Sequence, residues 1–219
     1  MSKLRLRFAK QGRAVYISHL DLMRTMQRVF LRAGYPLKYS EGFNPHAQIS
    51  ILLPLSVGCS SVCELMDFQL VGEYDMAEMP ARLTAAMPEG IEALEVYEME
   101  RKVKDLKWLS ISGRFEYDER DHAEMAAALN EFFAADSIVI EKKTKRGMGQ
   151  ADIAPDIKEI SFEAGEGCVA LRAVISAQEP TLNPEHLVSA LRQKAPEIAP
   201  DFAEFKRLEI FDEKMEIFR

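Results

Sequence analysis

Three arginines, Arg24, Arg28 and Arg32, stand four residues apart in the stretch YISHLDLMRTMQRVFLRAG. On a helix this spacing sets them in one row, about a turn apart. Like charges so placed repel by roughly 0.2–0.5 kcal/mol per pair. Asp21 is the one acid close enough in sequence to answer them. Either carboxylates from another element, such as Glu64 or Asp67, complete the row, or it is a solvated face, or its partner is external. Planar guanidinium groups suit the oxygens of a phosphate backbone. His19 precedes the row at the head of the same helix, where backbone N–H groups favour anions. An imidazole there is a candidate general acid–base or phosphate contact; the alternative is packing against the strand before it.

The second chemistry-bearing stretch is the loop KYSEGFNPHAQ, residues 38–48. Gly42 permits a turn, Asn44-Pro45 signals one, and Phe43 is an aromatic within polar sequence. Lys38, Ser40 and His46 add polar groups. Long ordered loops of this kind carry function, though Phe43 could equally plug the sheet edge. His19 and His46 converge only if the loop folds back over the helix start. Cys59, Cys63 and Cys168 are too few and too scattered for a disulfide framework or a ligand set, and read as small apolar residues. The chain lacks the nucleotide-binding, zinc-protease and nucleophile-elbow signatures. A further basic stretch, KKTKRGMGQADIAPDI (142–157), is a candidate nucleic-acid-binding loop or an exposed hairpin end rich in lysine.

These residues need elements to position them. LRLRF (4–8) alternates as a half-buried strand does, with Arg5 and Arg7 opposite Leu4, Leu6 and Phe8. Ser18 is an N-cap and Asp21 completes a capping-box-like pair. Leu22, Met26, Val29, Phe30 and Ala33 form the buried stripe of the first helix, which Gly34 and Pro36 end. QISILLPL and SVCELMDFQLV read as strands, DMAEMPARLTAAMPEG as a helix and IEALEVYEME as a strand. The order β-α-β-β-α-β is the split βαβ, or ferredoxin-like, plan. It repeats loosely beyond the charged stretch RKVKDL, with one strand more and with Asn183 capping a helix that Pro184 opens. The expected fold is α+β, two tandem ferredoxin-like domains with antiparallel sheets, at 1–102 and 103–219.

The net charge of −7 conceals an asymmetry. Residues 1–50 hold nine basic and two acidic side chains, a balance of +7, so the remaining 169 residues carry −14. An anionic partner for the N-terminal segment follows, with the acidic remainder limiting indiscriminate binding. No apolar run approaches the ~18 residues of a membrane span, and MSKLRLRFAK has no apolar core of a signal peptide. The expected setting is cytoplasmic, with no membrane partner.

Together these segments resemble the radical SAM-linked domain of unknown function. The pattern is carried by Phe8, Lys10, Gly12, Ile17 to Asp21, Arg24, Arg28, Arg32, Ser40, Gly42, Phe43, Pro45, Pro54, Leu55, Gly58, Glu64 and Asp67. It covers the first 70 residues. GQADIAPDI resembles the less strongly patterned second half, with Ala154 where the family usually has an arginine. The resemblance implies association with a radical SAM protein and with RNA processing or ribosome-related genes; it supplies no reaction. The expected function is therefore a radical SAM-associated accessory protein, an adaptor binding RNA or its radical SAM partner. Its expected ligand residues are Lys10, Ser18, Asp21, Arg24, Arg28, Arg32, Lys38, Ser40, Gly42, Phe43, Asn44, Pro45, His46, Glu64 and Asp67. The alternatives are an RNA-processing or RNA-modifying enzyme using His19 as general acid–base, and a protein-docking subunit without nucleic acid. The sequence offers no recognisable nucleophile or metal set, which weighs against catalysis, and no cofactor or metal is expected.

Overall fold

The computed structural model describes residues 3–144 and 147–219. The chain divides into two compact units, residues 1–105 with Arg219, and residues 106–218. Both are α+β, and every strand pair within a unit described here is antiparallel.

The first unit runs β1 (Leu4–Lys10), α1 (His19–Arg32), β2 (Ile49–Ile51), β3 (Ser60–Phe68), α2 (Met79–Ala86) and β4 (Ile91–Glu98). β1 pairs with β4 on one side and β3 on the other, and β2 pairs with the far edge of β3, giving the order β4-β1-β3-β2. Leu22, Met26, Val29 and Phe30 of α1 are buried with Leu6, Phe8, Met66 and Phe68 of the sheet, as the helical period of the sequence predicts. Two elements are shorter than their patterns suggest. β2 stops at Ile51 and does not reach Leu55; Pro54 has no N–H to give a ladder. α2 spans only Met79–Ala86, with Pro80 in its first turn and Pro88 and Gly90 just beyond its end.

The second unit runs β5 (Trp108–Glu116), α3 (His122–Phe133), β6 (Val139–Thr144), β7 (Gly147–Asp152), β8 (Ile157–Gly165), β9 (Cys168–Ser176), α4 (Glu185–Lys194) and β10 (Phe202–Phe211). Its sheet order is β10-β5-β9-β8, and β6 and β7 form a separate hairpin. That hairpin is the additional strand pair. β7, sequence GMGQAD, escapes the sequence pattern because two glycines and polar residues give no alternation. Pro184, not Asn183, occupies the N-cap position of α4, and Asn183 stands one residue before it, its side-chain oxygen accepting from the Glu185 N–H at 3.1 Å. The basic stretch from Lys142 onward lies partly outside the described residues, since these omit Lys145 and Arg146.

Candidate functional site

The first unit carries the residues picked out by type and spacing, and the structure sorts them into three groups. The first is the outer face of α1. Ser18 caps the helix, accepting from the Asp21 N–H at 3.3 Å while its hydroxyl donates to the Asp21 carboxylate at 2.8 Å. Asp21 in turn accepts from Arg24 at 3.1 Å. The Ser18 hydroxyl and Arg24 both hold the Asp21 carboxyl below its ordinary value. Arg32 donates to the Ala86 carbonyl at 2.5 Å. Arg28, between them, is exposed and has no partner among the described residues. Neither Glu64 nor Asp67 answers this row. The apolar side chains Tyr16, Leu20 and Leu31 are also exposed, the two leucines on the helix itself, so this solvent-facing side is cationic and apolar at once.

The second group lies inside the unit. Arg5 is fully buried and grips Asp67 through two bonds, at 2.6 and 3.1 Å, and the Arg101 carbonyl through a third at 3.1 Å. Tyr97 stands opposite Arg5 on β4, its hydroxyl buried without a hydrogen-bond partner among the described residues. Burial pushes the Tyr97 phenol up to about 12, against the opposing pull of the Arg5 charge. Lys10 is equally buried and donates to the Val15 and Ile17 carbonyls at 3.1 and 3.0 Å. Burial lowers its pKa while the charge of Glu64, itself buried, raises it. The pairing register shifts between Phe8 and Lys10, and such a bulge re-aims the side chain that follows it. Lys10 and Glu64 therefore fix the approach to α1 from within and do not face an external ligand. Cys59 and Cys63 are buried beside them.

The third group is the 38–48 segment, which folds as a hairpin on its own. Ser40 N–H donates to the His46 carbonyl at 2.9 Å, Gln48 N–H to the Lys38 carbonyl at 2.8 Å, and Tyr39 bridges Ala47. The Ser40 hydroxyl meets His46 Nδ1 at 2.8 Å and accepts from the His46 N–H at 3.1 Å. Gly42, at φ +121°, turns the tip, which holds Phe43, Asn44 and Pro45, all exposed. Phe43 is 110% exposed, so it plugs nothing.

His19 and His46 are not brought together. Val15 and Ile17, leading into His19, are tied near the start of β3 through Gly58 and Lys10. The hairpin is tied beyond the end of β3 through Gln69, which bonds Lys38 and Gln48. A nine-residue strand separates these ends, roughly 30 Å at the rise of a strand. The His19 ring makes no hydrogen bond among the described residues and is half-buried at the first position of α1. Arg5 and Tyr97 are the functional-looking residues that sequence spacing did not mark, because their row exists only across three strands.

The chain belongs to the bacterial family described as "Uncharacterized protein conserved in bacteria (DUF2344)", whose pattern matches residues 3–184. No curated protein matches it. Among solved structures it is similar to a chain in "Crystal Structure of a Cbf5-Nop10-Gar1 Complex", at 12% identity and a TM-score of 0.50. That match covers 96% of this chain and 50% of the other, so this chain spans about half the length of that one. A protein of unknown function from Galdieria sulphuraria aligns at 11% identity and a TM-score of 0.26, over 94% of this chain and 98% of that one. At these identities the first likeness is one of fold alone.

Proposed function

We propose that this chain is a binding adaptor whose first unit holds RNA through the outer face of α1 and the 38–48 hairpin. We further read each unit as a split βαβ, ferredoxin-like domain, since β4-β1-β3-β2 and β10-β5-β9-β8 are the same order with two helices each. The observation that carries the RNA reading is Arg28: an exposed guanidinium without a partner, between two arginines that keep donor groups to spare. A guanidinium has five donors, and Arg24 and Arg32 each show one bond. Phosphate contacts from such a row bind without reading sequence, and the exposed Phe43 ring offers a surface on which a base stacks. His19, with a free ring at a helix N-terminus, serves as a ligand contact beside the row. A radical SAM protein as the second partner rests on the sequence resemblance of the first 70 residues.

Ultraviolet crosslinking of the protein to RNA from its host, followed by peptide mapping, tests this. Crosslinks at Phe43 and along α1 support the adaptor. RNA crosslinked only to the second unit, or not at all, contradicts it and favours a basic face that docks an acidic protein surface.

A further inference from the structure

A cleft of about 280 Å³ opens beside β2, lined by Lys3, His46, Gln48, Ser50, Asp67 and Gln69 together with Ala47, Ile49 and Phe68. Its polar groups divide by chemistry. Asp67 is an acceptor set in place before any ligand arrives, because the buried Arg5 clamps it with two bonds and is itself held by the Arg101 carbonyl. Lys3 brings a positive charge. The Ser40 hydroxyl sits on His46 Nδ1; when it donates there, the hydrogen of the neutral ring resides on Nε2, which becomes a donor. Gln48 and Gln69 carry amides, which offer donor and acceptor side by side.

From this arrangement we infer that the cleft seats one nucleotide of a single-stranded RNA. Its phosphate lies against Lys3 and His46, its ribose hydroxyls donate to Asp67, and the edge of its base meets the glutamine amides. The residues fit such a ligand for three reasons. The lining mixes donors and acceptors instead of presenting one charge. The volume is near the lower end for small-molecule sites, which suits a single nucleotide. The return arm of the hairpin supplies His46 and Gln48, and its tip supplies the exposed Phe43 on which a neighbouring base stacks. The inference rests on the RNA reading above and adds a place for one residue of that RNA.

Asp67→Asn would take away the carboxylate charge that the buried Arg5 grips, so the test uses Lys3→Ala and Gln69→Ala. A ribonucleoside monophosphate is titrated into the isotope-labelled full chain and backbone amide signals are followed. We expect saturable shifts at Gln48, Ser50 and Gln69. Each variant should weaken binding by about tenfold, the loss of one good polar contact. The deoxyribonucleotide should bind more weakly, since it lacks the 2′-hydroxyl. Shifts confined to α1, or variants that bind the monophosphate as the parent does, overturn the cleft. RNA binding that withstands both variants, without monophosphate binding, sinks the cleft and leaves the adaptor standing. Monophosphate binding at the cleft by a chain that retains no RNA sinks the adaptor and with it the RNA occupant, and keeps the cleft only as a site for a free nucleotide.

Discussion

The two units share one strand order and differ in what they display and what they bury. α1 presents Leu20, Asp21, Arg24, Arg28, Leu31 and Arg32 to solvent, whereas α3, at the same place in its unit, presents Ala123, Glu124, Ala127, Asn130 and Glu131. Between the first helix and the second main-sheet strand, the first unit inserts the Phe43 hairpin and the second inserts β6–β7. Inside, the first unit buries Arg5, Lys10 and Glu64 together with Ser61, while the buried polar residues of the second are Ser176 and Arg207. The plan of the fold therefore specifies neither the basic face nor the buried charges. The basic helix face is what the first unit adds, together with a buried lysine acting on a buried carboxylate, Lys10 and Glu64, where the second unit buries Arg207.

The largest expected effect concerns the buried charges. Lys10→Met should cost about 3–5 kcal/mol in chemical denaturation, because it removes the buried positive charge that acts on the Glu64 carboxylate. Adding Glu64→Gln should recover most of the loss. A neutral single substitution would break the distinction between the two interiors.

Charge reversal of the helix faces follows. Replacing Arg24, Arg28 and Arg32 together by Glu should weaken RNA about a hundredfold at moderate salt, ~2.7 kcal/mol. Replacing Glu124 and Glu131 of α3 by Lys should not weaken it. Equal losses from both helices, measured by fluorescence anisotropy, would erase the difference between them.

The helix caps should rank by the bonds they accept. Asp121 takes N–H groups from Ala123 and Glu124, each at 2.9 Å, and Ser18 takes one longer bond from Asp21. Asp121→Ala should cost ~1–2 kcal/mol and Ser18→Ala ~0.5–1. Thermal unfolding of the two variants measures the order.

The smallest effect separates two tyrosines whose phenols burial pushes up to about 12. Tyr117 donates to the Ile198 carbonyl at 2.8 Å, whereas the Tyr97 hydroxyl has no partner among the described residues. Tyr117→Phe should cost ~1 kcal/mol at neutral pH and Tyr97→Phe nearly nothing. Both folded values lie above the ordinary phenol near 10, so the neutral form is favoured in the folded chain. Stability is then full below pH ~10 and is lost as pH rises toward 12. Either substitution should flatten that loss, which unfolding measured across pH 9–12 reads directly.

The buried stripe of α1, its cap and its stop were legible because they rest on local period and on residues within three or four positions. Other features depended on register. Lys10 looks like an ordinary strand lysine until a bulge turns it toward the Val15 and Ile17 carbonyls, and Glu64 lies fifty-four positions away. By sequence alone Asp67 is a candidate partner for the helix arginines, yet antiparallel pairing sets it against Arg5. The 38–48 segment was recognisable as a turn-rich loop. That Phe43 points outward follows from the Ser40–His46 closure beneath it, and turn signals alone do not give that closure. β7 left no trace because its glycines remove the alternation that reveals a strand.

The most direct test of the central claim is the salt dependence of RNA binding by the full chain and by Arg28→Ala. Arg28 has no bond to lose among the described residues, so its removal should leave folding unchanged. RNA held by the α1 row should show a steep linear fall of log affinity with log salt, and a slope shallower by about one phosphate contact, roughly 0.7 for single-stranded RNA, in the variant. An unchanged slope together with unchanged affinity would contradict that claim, because the one unanswered arginine of the row would then touch no phosphate.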